Sequence, residues 1–152
     1  MKEQRRGRKA AMTESERNEF LAEQRTCRVA SIGRDGAPHV TPLWFAWDRH
    51  SLWLTSIVKS QRWTDLQRDQ RVSVIIDSGV EYTELHGVEI RGTVAVVGEV
   101  PRTGEAVPEL DEPERIFGAK YSGGQMHHDG RHAWLRVTPE KIVSWDFRKI
   151  FG

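Results

Sequence analysis

Five hydroxyl-bearing or basic residues occur close together where an apolar run ends and a short helix is predicted to begin. They are Thr55, Ser56, Lys59, Ser60 and Arg62. The first N–H groups of a helix lack partners within the helix, and the helix dipole there favours an anion. Ser60 can cap the helix, while Lys59 and the planar guanidinium of Arg62 supply positive charge suited to phosphate oxygens. The cluster predicts a phosphate site, and the alternative is an ordinary helix cap with exposed basic neighbours.

A second group of polar residues lies in the segment "MHHDGRH", where His127, His128, Asp129 and His132 could bind a metal ion. Adjacent histidines on a loop rarely face one centre, and Asp129-Gly130 is typical of a turn. We therefore interpret the segment as a solvated loop and predict no metal site. Motifs of hydrolases, zinc proteases, P-loop enzymes and dinucleotide-binding folds are absent from the sequence, so no catalytic side chain is predicted.

The bulk composition indicates one globular domain in a chain of 152 residues, with 30% charged and 38% hydrophobic residues. A net charge of +1 gives no general attraction to nucleic acid or to a membrane surface. The single cysteine, Cys27, excludes an internal disulfide and is typical of the cytoplasm, where we expect the protein. Residues 1–12 are basic and predict a disordered arm, with a nucleic-acid-binding arm as the alternative; residues 13–152 form the predicted domain.

The pattern of apolar residues predicts a mainly β fold with a few helices. Val88, Ile90, Gly92, Val94 and Val96 share one face of the clearest strand, and Gly92 suggests a bulge. The other predicted strands cover residues 27–33, 38–47, 51–56 and 71–77, followed by two strands broken near Pro139. Helices are predicted at 13–24, 60–68 and 109–121. A sheet of about seven antiparallel strands usually closes into a barrel, which removes its edges.

The ordered segments "SIGRDGAPHVTPLWFAWD", "LWLTS", "KSQRWTDLQRDQRVSVIID" and "GVEIRGTVAVVG" resemble the pyridoxamine 5′-phosphate oxidase-like split-barrel flavoproteins. The sequence is most similar to the flavin/deazaflavin oxidoreductase branch of actinobacteria, many of which use coenzyme F420 rather than FMN. This resemblance implies a split β-barrel of the FMN-binding-protein type. It also implies an intertwined homodimer with two cofactor sites in the interface cleft.

The resemblance assigns roles to particular residues. Arg62 falls where a phosphate-binding Lys or Arg is expected, with Lys59, Ser60 and Gln61 alongside; Thr55 and Ser56 end the preceding strand and face the same crevice. The cofactor ring is expected to lie along four consecutive residues of the second strand: Thr41, Pro42, Leu43 and Trp44. Trp145 of the partner subunit is expected to close the site. Trp44 has an alternative role, which is packing in the barrel core or the dimer interface.

The function implied by the resemblance is hydride transfer from reduced F420 to an electron-poor, partly apolar substrate such as a quinone, enone or tetrapyrrole. One alternative is an FMN-dependent oxidoreductase, and another is a flavin or haem carrier with His39 or His86 as axial ligand. The oligoglutamate tail of F420 would require further basic residues, for which Arg68, Arg71 and the arginines of the arm are candidates. The carboxyl-terminal "VSWDFRKIFG" matches the substrate-binding arginine motif of the true oxidases poorly, which argues against pyridoxamine phosphate as substrate.

Overall fold

Six antiparallel strands close into a barrel in the computed structural model, which describes residues 1–152. The strands are β1 (Thr26–Ile32), β2 (Pro38–Trp47), β3 (Leu52–Ile57), β4 (Arg71–Ser78), β5 (His86–Val97) and β6 (His132–Asp146). The helices are α1 (Glu14–Glu23), α2 (Gln61–Arg68), α3 (Pro108–Tyr121) and α4 (Arg148–Phe151). Around the barrel the strands follow the order β1-β2-β3-β6-β5-β4, and β4 pairs with β1. The predicted mainly β fold is confirmed. None of the helices has the length and apolar character needed to cross a membrane.

Every second side chain along the strands points into the barrel, and these side chains fill its interior. Phe45, Leu54, Val74, Ile90 and Leu135 are all completely buried there. Cys27 belongs to this core, and its burial raises the pKa of the thiol to about 12. A smaller cluster lies outside the barrel, where α3 covers one face of the sheet; its members are Ala46, Trp53, Val97, Leu110, Phe117 and Trp134.

Two local signals in the sequence act as predicted. The Thr13 hydroxyl accepts the Glu16 N–H at 3.1 Å, and the Glu16 carboxylate accepts the Thr13 N–H at 3.0 Å. This capping box starts α1 at Glu14. In the turn between β1 and β2, Gly36 has a φ of 82°, a value that residues with a Cβ rarely adopt.

The end of the chain forms one strand rather than the two that were predicted. β6 runs through Pro139 because the pairing with β5 shifts between Arg91 and Gly92, leaving one extra residue on β6. Gly92 is required here, since a Cβ at this position would lie 2.0 Å from the Thr138 carbonyl oxygen. The predicted bulge at Gly92 is therefore present, and the strand count is six rather than seven.

Residues 1–12, for which the sequence predicts a disordered arm, lie along β6 in the structure. The Lys2 N–H donates to the carbonyl of Glu140, the extra residue of the bulge, at 2.7 Å. Gln4 exchanges two hydrogen bonds with the Ser144 backbone, and the Met12 N–H donates to the Ser144 hydroxyl at 2.9 Å. A short 3-10 helix over Arg8–Ala10 buries Ala10.

The barrel is open along part of the seam between β2 and β3. Only three residue pairs join these strands, from Phe45–Leu54 to Trp47–Leu52. Beyond Phe45, β2 pairs with β1 alone, and beyond Leu54, β3 pairs with β6 alone. A split therefore separates residues 38–44 of β2 from residues 55–57 of β3, and α2 follows directly after β3.

Candidate functional site

Arg62 of α2 inserts its guanidinium into the split between β2 and β3. Its Nε donates to the Ser56 hydroxyl at 3.2 Å, and its Nη1 donates to the Thr41 hydroxyl at 2.7 Å. The residue is only 8% exposed, yet it forms no ion pair, and Nη2 has no hydrogen-bond partner within the chain. Burial lowers the pKa of Arg62, although an arginine remains charged at neutral pH. A buried cation bonded only to neutral hydroxyls is a strong candidate for binding an anion.

A cavity of about 420 Å³ opens beside Arg62 on the outer face of the barrel. Its floor consists of alternate residues of three strands: Pro42 and Trp44, Thr55 and Ile57, and His132 and Trp134. Arg62 and Leu43 lie at the edge formed by the split. The opposite wall is formed by Phe117 of α3, by residues 126–129 and by Arg102. A volume of this size is within the usual range for sites that bind small molecules or cofactors.

Trp44 provides a flat aromatic surface at the edge of this cavity. Its indole stacks on Tyr121, with ring centroids 4.3 Å apart and an angle of 9° between the planes. The guanidinium of Arg25 lies 4.9 Å from the Tyr121 centroid, and the Tyr121 hydroxyl donates to the Arg25 carbonyl at 2.6 Å. Trp44 is 46% exposed and belongs to neither apolar cluster, so the alternative of packing in the barrel core is wrong.

The open side of β2 also presents backbone polar groups. The Phe45 N–H donates to the Tyr121 hydroxyl on the β1 side at 3.3 Å. Because backbone groups alternate in direction along a strand, those of Pro42 and Trp44 point to the opposite side, which β3 leaves unpaired. The Trp44 N–H and the Pro42 carbonyl therefore point into the split, where the heteroatom edge of a planar ligand could meet them.

Several predicted residues do not line the cavity. The Ser60 hydroxyl accepts the Trp63 N–H at 3.1 Å and donates to the Ile57 carbonyl at 2.7 Å, which makes it the cap of α2. Gln61 donates to Asp65 at 2.8 Å, and Lys59 is exposed without a partner. Trp145 pairs with Gly87 in the β5–β6 ladder, outside the cavity of its own chain. Thr41 and Ser56 contact the cavity only through Arg62, whereas Pro42, Leu43, Trp44, Thr55 and Arg62 line it.

Two of the basic residues considered for an anionic tail already have carboxylate partners, and the arm arginines Arg5, Arg6 and Arg8 are exposed residues that do not line the cavity. Arg68 pairs with Asp65 at 3.0 Å, and Arg71 pairs with Asp69 at 2.7 Å. The histidines considered as axial ligands of haem also lie outside the cavity. His39 is 3.9 Å from Asp65, and His86 packs edge-on against Phe20.

The polar wall of the cavity contains a second buried arginine, which sequence reasoning missed. Arg102 donates to both carboxylate oxygens of Glu114, at 2.9 and 3.0 Å, and also bonds to Glu99. Glu114 additionally accepts from the Trp134 indole at 2.9 Å and contacts His128 at 3.1 Å. Burial alone would raise the pKa of Glu114, but Arg102 and the other donors hold it below its usual value.

His127, His128 and His132 also line the cavity, but the structure does not arrange them as metal ligands. No group of three His, Cys, Asp or Glu side chains is close enough to bind one metal ion. His128 contacts Glu114, and His132 Nδ1 lies 2.6 Å from an oxygen of Asp129. The sequence segment "MHHDGRH" drew attention to these histidines. Only the pairing of His132 with Ile57 on β3, however, places the segment beside the cavity.

The residues present fit a phosphorylated planar cofactor. Arg62 offers a free nitrogen for a phosphate oxygen, the open edge of β2 offers backbone groups, and Trp44 offers an aromatic surface. These features occur side by side in one cavity whose lining is partly apolar and partly basic.

The comparisons with known proteins agree with this architecture. Residues 13–146 match the family described as pyridoxamine 5′-phosphate oxidase. No curated protein matches the sequence. A conserved hypothetical protein from Mycobacterium tuberculosis is 30% identical; the alignment covers 98% of this chain and 93% of that one, with a TM-score of 0.81.

Two more distant structures share the fold. An F420 reductase is 20% identical over 82% of this chain and 94% of its own, with a TM-score of 0.60. The haem storage protein HutZ from Vibrio cholerae is 14% identical over 84% of this chain and 91% of its own, with a TM-score of 0.66. The family match over most of the chain and the six-stranded barrel together show that this protein belongs to the pyridoxamine 5′-phosphate oxidase-like split-barrel flavoproteins.

Proposed function

We propose that this protein is an oxidoreductase that uses coenzyme F420 for hydride transfer to an electron-poor, partly apolar substrate of the quinone, enone or tetrapyrrole type. The observation that carries the proposal is Arg62, a buried guanidinium without a carboxylate partner at the edge of a cavity lined with aromatic residues. The F420 reductase of the same fold and the resemblance to the deazaflavin branch support the choice of cofactor.

Each part of the proposed site has a separate task. Arg62 binds the cofactor phosphate, and Thr41 and Ser56 hold its guanidinium in place. The edge of β2 over residues 41–44 borders the ring, while Phe117 and Trp134 limit the access of water. A bound reduced deazaflavin or flavin supplies the hydride, so the protein requires no nucleophile of its own.

The proposed active form is a homodimer with a site in each interface cleft and Trp145 contributed by the partner subunit. Two exposed apolar residues of β2, Val40 and Trp44, support this arrangement because they lie beside the open seam. Lys59 and Ser60 on the turn before α2, and Gln61 at its first position, are the proposed neighbours of the phosphate. FMN in the same site is the alternative cofactor, since it shares the tricyclic ring and the phosphate.

The test is a binding screen with F420, FMN and haem on protein purified without cofactor, followed by turnover with menadione. We expect saturable binding of F420 at one site per chain, and consumption of reduced F420 only when menadione is present. Tight binding of FMN together with turnover would show that FMN, rather than F420, is the cofactor. Haem binding without either of the others would show a carrier rather than an oxidoreductase.

A further inference from the structure

Where the floor of the cavity meets the opposite wall, a histidine–carboxylate pair is present that cofactor binding does not require. His132 is the first residue of β6 and lies opposite Ile57 of β3, so both side chains form part of the cavity floor. Its Nδ1 is 2.6 Å from Asp129 Oδ2. Its Nε2 has no partner within the chain, and the side chain is 32% exposed.

Asp129 is itself held firmly. Its Oδ1 accepts the backbone N–H groups of Arg131 at 2.8 Å and of His132 at 3.1 Å, which leaves Oδ2 for the imidazole. Burial would raise the pKa of Asp129, but these N–H groups and His132 hold it below its usual value. The His132 carbonyl also accepts the Arg102 N–H at 2.8 Å, so the residue is fixed through its backbone as well.

We propose that His132, oriented by Asp129, is the general acid that protonates the substrate after hydride transfer. This inference rests on the proposed function. It identifies the substrate class as a conjugated carbonyl compound, such as a quinone or enone, whose oxygen becomes an anion on reduction. A carboxylate on Nδ1 of an imidazole fixes the ring and stabilises the imidazolium, as in other acid–base pairs.

Hydride transfer adds two electrons and one hydrogen to a substrate carbon and oxidises the reduced deazaflavin or flavin by two electrons. The carbonyl oxygen of the substrate then carries a negative charge. The Nε2–H bond of the His132 imidazolium breaks, an O–H bond forms on the substrate, and the neutral imidazole regains a proton from water.

The electrostatic surroundings of His132 come from four parts of the chain. Its own loop contributes Asp129, His127 and His128, α3 contributes Glu114, and α2 contributes Arg62. Arg102 lies on the same wall, but its charge is more than balanced by Glu99 and Glu114. The charge in contact with the imidazole is therefore the Asp129 carboxylate.

The test compares two acceptors in the His132→Gln variant. Menadione needs a proton after it accepts a hydride, whereas the cationic dye methylene blue becomes neutral on hydride addition and needs none. We expect the rate with menadione to fall roughly 100-fold or more, while the rate with methylene blue and the Kd for F420 stay within about twofold of the wild type. Asp129→Asn should lower the menadione rate less, and His50→Gln, in an exposed turn, should change neither rate.

Two further readouts are independent of one another. The wild-type rate with menadione should fall as pH rises, because a general acid must carry its proton, and His132→Gln should lose this dependence. In cofactor-free protein with ¹⁵N-labelled histidine, NMR should show the proton on Nδ1 of neutral His132, and Asp129→Asn should abolish this preference. Melting temperatures confirm that both variants are folded.

The outcomes separate the two proposals. One outcome is that menadione is reduced and that His132→Gln has the same rate and the same pH profile as the wild type. The assignment of His132 as the general acid would then be wrong, and the proposed function would stand. If the rates with both acceptors fall equally in His132→Gln, His132 contributes to binding or to structure instead. A protein that binds neither F420 nor FMN would overturn the proposed function and the proton donor together.

Discussion

Two buried arginines line the same cavity, and they differ in what surrounds them. Arg102 is 6% exposed and is bonded to two glutamates, whereas Arg62 is 8% exposed and is bonded to two hydroxyls. The two arginines are therefore buried to a similar extent, but only one of them has carboxylate partners. The partners of Arg102 neutralise its charge within the chain, which is typical of a structural ion pair. Arg62 keeps an uncompensated charge, which is typical of a site that receives its counter-ion from a ligand.

The largest effect is expected from Arg102→Ala. Removing this guanidinium leaves Glu99 and Glu114 without their shared cation, which should lower the free energy of unfolding by about 3 to 5 kcal/mol. Urea denaturation followed by circular dichroism measures the loss. Arg115→Ala is the matched control on α3, because its pair with Glu112 is exposed and screened by solvent and should contribute far less. Equal losses of unfolding free energy in the two variants would show that the buried pairs of Arg102 stabilise the protein no more than the exposed pair of Arg115 does.

The same network predicts a loss of stability in acid. The pKa values of Glu99 and Glu114 lie below the ordinary value of 4.5, so their contribution is complete above that value. It disappears as pH falls through the lowered pKa values, because protonation removes the charges that pair with Arg102. Glu114→Gln should flatten the fall in stability below pH 4.5, as measured by urea denaturation at a series of pH values. An unchanged slope would show that other carboxylates control acid unfolding.

Arg62→Ala is expected to affect binding more than folding. The loss of a charge-assisted contact with the phosphate should weaken F420 or FMN binding by about 1.5 to 3 kcal/mol. Fluorescence titration measures the change, and Arg68→Ala on the same helix should leave the affinity nearly unchanged, since Arg68 pairs with Asp65 outside the cavity. An unaltered affinity in Arg62→Ala would place the phosphate elsewhere.

The smallest effect is expected from the hydroxyls that hold Arg62. Ser56→Ala and Thr41→Val each remove one neutral partner of the guanidinium and should weaken cofactor binding by about 0.5 to 1.5 kcal/mol. The same titration measures this loss. Ser60→Ala is an informative contrast, because its hydroxyl caps α2 and its removal should cost about 1 kcal/mol of stability instead.

The parts of the fold that depend on local chemistry were predictable from the sequence. The capping box at Thr13 and the turn at Gly36 each arise from residues near one another in the chain, and a glycine inside a strand pattern indicated the bulge at Gly92. The predicted break at Pro139 was wrong because the bulge absorbs a proline that regular pairing would exclude. The glycine that indicated a bulge lies on β5, and no residue near Pro139 in the sequence indicates that the extra residue falls beside it on β6.

The candidate site was predictable only in part. The basic cluster before α2 indicated Arg62, but its burial depends on the split between β2 and β3, which is a property of strand pairing. Arg102 is held at the cavity by Glu114, which lies twelve residues away in the chain. His132 is held there by its pairing with Ile57 on another strand. These contacts depend on how α3 and β6 pack, and no spacing in the sequence reveals them.

The stacking of Trp44 on Tyr121 gives the protein an intrinsic optical sensor. Trp44 is the one tryptophan of the six that is substantially open to solvent, and it stands at the cavity edge. Its emission overlaps the absorption bands of flavins and deazaflavins, so energy transfer to a ligand at this edge should quench it. Trp44→Phe would then lower the quenching amplitude, and ligand occupancy could be followed in real time without any label.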